Sequence, residues 1–151
     1  MKSEMNISGD RLEITRTIDA PRERVFEAWS RPELLQRWTG CKDATKIECE
    51  MDFRVGGTFT QKMHITGAGD CVIKGIYEEI VAPEKIVYRV DLAGHGTARV
   101  IVEFFAQGDQ TKMVLVQDGF PNPMVAKFVS QGTMESFDKL DLLFAGRAVA
   151  S

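Results

Sequence analysis

The chain has 151 residues, 44% of them hydrophobic and 27% charged, with a formal net charge of −3 at neutral pH. That length suits one domain with a sizeable core, and a weakly acidic chain without a basic cluster argues against nucleic acid as a partner. The longest apolar runs are short (Val100-Ile101-Val102 is stopped by Glu103), so no membrane span is expected.

From the N-terminus, Met1 to Asp10 carries Lys2 and Glu4 but no apolar signal-peptide core. It is expected to be a disordered N-terminus over 1–10, followed by a single domain over 11–147. Leu12, Ile14 and Ile18 alternate with polar residues, which predicts a first strand with one buried face. Asp19-Ala20-Pro21 then opens a helix whose apolar stripe is Val25, Phe26 and Trp29. Pro32 starts a second short helix carrying Leu34, Leu35 and Trp38, and Gly40 ends it.

From Ala44 the hydrophobic period switches to two. Ile47, Cys49 and Met51 alternate with charges, Gly56-Gly57 marks a turn, and Phe59, Gln61, Met63 and Ile65 share one strand face. A hairpin loop at Gly67-Ala68-Gly69-Asp70 leads into a strand from Cys71 to Val81. Strands centred on Ile86-Tyr88-Val90-Leu92, Val100-Val102-Phe104 and Met113-Leu115-Gln117 follow, separated by Gly94-His95-Gly96 and Gly108-Asp109. Asn122 is a suitable N-cap and Pro123 suits the first helical position. From there to about Ala145, Val125, Phe128, Val129, Gly132, Ser136, Leu140 and Leu143 recur at three- and four-residue steps, the period of one helix face.

The order is strand, two short helices, six strands, long helix. Consecutive strands on short loops pair antiparallel, which predicts an α+β fold with a curved seven-stranded antiparallel sheet. A long C-terminal helix laid across such a sheet encloses a space. The three cysteines, Cys41, Cys49 and Cys71, are odd in number and widely spaced, and the two histidines, His64 and His95, have no metal-ligand spacing. Free thiols in a reducing cytoplasm, with no metal and no cofactor, are the expectation.

Several stretches resemble the family named for the activator of the heat-shock-protein-90 ATPase. They are Arg16-Thr17-Ile18-Asp19-Ala20-Pro21-Arg22-Glu23-Arg24-Val25-Phe26-Glu27-Ala28-Trp29, then Pro32-Glu33-Leu34-Leu35 with Arg37-Trp38, and the D-x-R-x-G-G turn of Asp52 to Gly57. Gly75 to Ile80 with Pro83 to Val87, Gln117 to Phe120, and Gly132 to Leu140 complete the series. The resemblance implies the START-like (SRPBCC, Bet v allergen-like) helix-grip fold and a deep apolar cavity between sheet and long helix. It implies no particular activity. The chain departs from the family pattern at Thr39, where a second tryptophan is usual, and at Thr133, where an aromatic is usual. It departs again at Arg31, which replaces an acidic cap and leaves Ser30 as the expected one.

The residues expected to line the cavity are Trp38, Phe59, Gln61, Met63, Tyr88, Val102, Leu115, Gln117, Phe128 and Phe137: mostly apolar, with a few polar groups to orient a ligand. Gln61, Gln117 and the Tyr88 hydroxyl each need a partner if buried; strand neighbours, water and ligand all qualify. Gly132 and Ser136 are expected where helix and sheet approach closely. No catalytic residue is assigned. Asp52, Arg54, Asp118 and the two histidines fit structural roles, and Glu78-Glu79 should point to opposite faces of their strand. The leading functional reading is a cytoplasmic protein that binds a hydrophobic small molecule. The alternatives are a polyketide cyclase- or aromatase-like enzyme, which moves a proton with Tyr88, Gln61 or His95, and a chaperone-associated or homodimeric interaction module.

Overall fold

Strict alternation of apolar residues is what commits most of this chain to strands, and the computed structural model, which describes residues 3–39, 44–65, 67, 69–91, 97–120 and 122–150, shows them in one antiparallel sheet. The elements are β1 (Ser3–Ser8), β2 (Arg11–Ile18), α1 (Arg22–Ser30), α2 (Pro32–Trp38), β3 (Ala44–Met51), β4 (Thr58–Ile65), β5 (Gly69–Val81), β6 (Lys85–Asp91), β7 (Thr97–Gln107), β8 (Gln110–Asp118) and α3 (Pro123–Ala150). Their order across the sheet is β1-β2-β8-β7-β6-β5-β4-β3.

The sheet therefore has eight strands, against the seven expected. The additional one is β1, drawn from the segment expected to be disordered: Ser3 to Ser8 pair with Arg16 to Arg11. Ile7 packs against the core, and Gly9 at φ 62 makes the turn into β2. Pairing with β2 satisfies backbone groups that would otherwise line an open edge.

The inward face is built from every second residue. On β2 it is Leu12, Ile14, Arg16 and Ile18; on β7, Ala98, Val100, Val102 and Phe104; on β8, Thr111, Met113, Leu115 and Gln117, all of them buried. Two of these elements' rows run straight across the sheet. Tyr77, Tyr88, Val100, Gln117 and Leu12 are register partners in sequence, as are Ile86, Val102, Leu115 and Ile14.

The helix ends follow local chemistry. Asn122 caps α3 through its side-chain oxygen, which accepts from the Val125 amide at 3.0 Å. At α2 the expected Ser30 cap is not made. Arg31 occupies the N-cap without a side-chain bond, and the Ser30 hydroxyl donates back to the Glu27 carbonyl at 3.3 Å, finishing α1 instead. The Trp38 indole N–H donates to the Ala28 carbonyl at 3.1 Å, which ties α2 to α1.

The helices cover the sheet unevenly. Among the described residues, α3 lies close to α2, β1 and β2; α1 lies close to β7 and β8; α2 lies close to β3. Among the same residues no helix backbone comes comparably close to β4, β5 or β6. These strands are consecutive in the sheet, so the part left uncovered by helix backbone, and covered by side chains alone, is one continuous band of the concave face.

Candidate ligand-binding site

Over that band the inward-facing residues include Phe59 and Gln61 from β4, Ile73, Gly75 and Tyr77 from β5, and Tyr88 and Val90 from β6. Cys49 and Met51 of β3 flank them, in register with Gln61 and Phe59. Rings, not helix backbone, fill the space. Phe59 lies directly over Gly75: a Cβ there would fall 2.3 Å from the Phe59 ring, so only glycine admits this packing. From that position Phe59 reaches Tyr77 at 5.2 Å and Tyr88 at 5.3 Å between ring centroids. Tyr77 continues to Phe53 (5.0 Å), Phe53 to Phe26 (5.9 Å) and Phe26 to Phe104 (5.6 Å), mostly edge to face, the orientation aromatic quadrupoles favour.

The D-x-R-x-G-G turn serves this wall. Gly56 at φ 86 donates its amide to the Tyr77 carbonyl at 2.8 Å, and the Tyr77 amide donates to the Gly57 carbonyl at 2.9 Å. A Cβ on Gly57 would overlap the Asp52 carbonyl at 2.0 Å. The Asp52 carboxylate accepts from Arg54 Nε at 2.7 Å with both side chains exposed, so the pair's role is to close the turn.

A bulge at Glu78 resets the phase of β5 after Tyr77. The register passes from Tyr77 opposite Tyr88 to Glu79 opposite Val87, skipping one residue. Tyr77 and Ile80 then both face the core, and Glu78 and Glu79 are both exposed, not on opposite faces as expected. Glu78 pairs with Arg89 and Arg99, and Glu79 with Lys85.

The ten residues expected at a cavity fall into three groups. Phe59, Gln61 and Tyr88 sit together on the uncovered band, with Met63 further along β4. Val102, Leu115 and Phe137 are sealed within the core, as is Trp38, whose indole is already bonded. Gln117 is 5% exposed and forms no hydrogen bond among the described residues. The side chain of Phe128 lies outside the described residues, as does His95. Gln61 is satisfied by a partner from another element: its Oε1 accepts from the Thr39 hydroxyl at 3.2 Å, and the Thr39 carbonyl accepts from Lys139 Nζ at 3.0 Å. Thr39, at the place of the usual tryptophan, thus joins β4, the end of α2 and α3.

Sequence reasoning assigned no site role to Tyr77, Cys49 or Arg16. Tyr77 is two residues from Gly75 on an alternating strand, a phase visible in the sequence. Arg16 sits in phase with Leu12, Ile14 and Ile18, and it is buried against α3, where it pairs with Asp138 at 2.5 Å and Asp141 at 3.0 Å. Burial raises the Asp141 carboxyl above its usual range, outweighing the attraction of Arg16. Gly132 is not at a close approach: a Cβ there would meet nothing within 4 Å.

The groups on the uncovered band are neutral. Burial pushes the Cys49 thiol up to about 11 and raises both the Tyr77 and Tyr88 phenols. His64 lies on the outer face, beside Asp70 (2.6 Å) and Glu48 (3.4 Å). No cluster of metal-ligating side chains occurs among the described residues, and no helix among them is long and apolar enough to cross a membrane.

A curved antiparallel sheet carrying two short helices and a long C-terminal helix is the helix-grip architecture of START-like domains. Within that class the profile described as activator of Hsp90 ATPase homolog 1-like protein matches residues 19–145, and the chain belongs to that family. Solved structures agree. A protein from Chromobacterium violaceum is 26% identical with a TM-score of 0.78, covering 89% of this chain and 96% of its own. A protein from Rhizobium leguminosarum is 29% identical with a TM-score of 0.72, covering 94% and 97%. A protein from Rhodobacter sphaeroides, 18% identical, shares the fold with a TM-score of 0.84 over 96% and 99%. A comparison with curated proteins finds no significant match.

Proposed function

We propose that this protein binds an apolar or aromatic small molecule against the concave face of β4, β5 and β6, between the sheet and α3. The observation that carries the reading is the uncovered band. Three helices take their backbone contacts from the two flanks of the sheet and leave the middle to side chains. Gln61, Ile73 and Tyr88 on that band, with Cys49 and Met51 beside it, are only partly buried although they face inward. Membership of a family that commonly binds hydrophobic ligands supports it. The groups present suit holding more than chemistry: phenols, a thiol and an amide, with no carboxylate or imidazole facing the band among the described residues. The reduced Cys49 thiol suits a cytoplasmic setting.

Native mass spectrometry of freshly purified protein, followed by thermal-shift measurements with a panel of lipids and aromatic compounds, tests the proposal. Retained ligand, or stabilisation that grows with ligand concentration, is the expected result. No retained mass and no shift across the panel would refute it.

A further inference from the structure

Tyr77 and Tyr88 are direct register partners on β5 and β6, and both point inward. Their rings stand 6.3 Å apart at 71°, each also braced by Phe59. Neither hydroxyl forms a hydrogen bond among the described residues, although Tyr77 is only 5% exposed and Tyr88 is half-buried. The side-chain atoms sealed from solvent without a partner include Arg16 Nε, Arg22 Nε and Trp29 Nε1, but neither phenol oxygen. Each hydroxyl oxygen therefore keeps some exposure. A buried tyrosine normally finds a partner for its O–H. Here two neighbouring donors face the same uncovered band with none.

Resting on the binding reading above, the geometry points to a ligand that presents an uncharged acceptor oxygen, such as a ketone, quinone or lactone carbonyl, to the phenol pair of Tyr77 and Tyr88. Two features select neutral oxygen over carboxylate. Among the described residues no cation serves the band: Arg16 is held by Asp138 and Asp141, and the Lys139 ammonium donates to the Thr39 carbonyl. The apolar neighbours Phe59, Val90 and Val100 would strip water from an anion without replacing it. The same surroundings keep both phenols and the Cys49 thiol protonated, so the site offers donors and no charge.

Ligands on one skeleton separate these properties: benzophenone (carbonyl), diphenylmethane (hydrocarbon) and diphenylacetate (carboxylate), with fluorenone, fluorene and fluorene-9-carboxylate as a second set. Binding is read by quenching of tryptophan fluorescence. The wild-type protein is expected to hold each ketone about tenfold more tightly than its hydrocarbon, the effect of one to two hydrogen bonds, and each carboxylate most weakly. Y77F/Y88F should erase the ketone preference and leave hydrocarbon affinity unchanged. Because the hydroxyls have no partner in the free protein, the double variant should unfold at the wild-type temperature. Carbonyl-labelled benzophenone adds an infrared reading on the unaltered protein, in which bound ketone should absorb at lower frequency than in hexane. Equal binding of ketone and hydrocarbon, tightest binding of carboxylate, an unshifted carbonyl, or a preference that survives the double variant would overturn the inference alone. Failure to bind any of the six compounds would remove the binding reading, and this inference with it.

Discussion

Arg16 shows how one residue can matter beyond its phase in a strand. Its side chain is 9% exposed and faces two aspartates of α3. Removing one partner of a buried pair leaves the other charge stranded, which costs more than the intact pair contributes. Replacing both Asp138 and Asp141 by Ala strands the buried guanidinium and is expected to destabilise the fold by about 3 kcal/mol in urea unfolding, a larger effect than Asp138→Ala alone, which leaves Asp141 at 3.0 Å from Arg16. The Cys49 thiol gives a second residue-scale expectation. Its folded value, about 11, lies above the ordinary 9.0. The unfolded chain therefore sheds the proton first as pH rises. The associated stability is present below about pH 9 and is lost on the way to about pH 11. Unfolding curves across that window should show the decline, with an earlier part of it missing in Cys49→Ala. Residue roles were the least legible layer of the sequence. Arg16 is a charge at an inward phase, readable in principle, but its partners lie more than a hundred residues away on another element. Thr39 and the inward-facing Gln61 lie 22 residues apart on separate elements, which likewise hides their bond.

At the scale of elements, α3 joins a legible start with two departures. Its Asn122 cap and its Pro123 start follow from short-range chemistry and are as expected, whereas the buried face includes Ala126, Ser130, Phe137 and Phe144, one residue on from Val125, Val129, Ser136 and Leu143 of the expected stripe. The purpose of Gly132 is not as expected either. A glycine inside a helix is expected where two backbones press together, yet this one faces open room. With no contact to lose, Gly132→Ala should stabilise the protein by about 1 kcal/mol through helix propensity alone, measured by thermal unfolding. Strand β5 is a further case. Its end at Val81 is as expected and its start at Gly69 falls inside the expected hairpin loop, but a bulge adds a residue without any compositional mark, so the facing of Glu78 and Glu79 could not be read from alternation.

For the whole molecule, the order of elements and the antiparallel pairing were legible because each strand keeps its two-residue period and each connection is short. The strand count was not. Met5 and Ile7 are too few apolar residues to announce a strand, and β1 exists because β2 offers it an edge. Truncation through Ser8 should therefore lower the melting temperature by roughly 6 °C, taking about 2 kcal/mol for the lost packing of Ile7 and its neighbours and roughly 3 °C for each kcal/mol in a protein of this size. Light scattering should rise with concentration, as β2 becomes a bare edge. A smaller temperature change with no association would show that β1 is dispensable.

The loop from Asp52 to Gly57 clasps the main chain of Tyr77 from both of its peptide groups. A solvent-side hairpin thereby sets the pitch of an interior ring. Lengthening or stiffening that loop offers a means to retune the proposed binding face while every wall residue keeps its identity, and divergence among relatives at this surface position would carry chemical meaning.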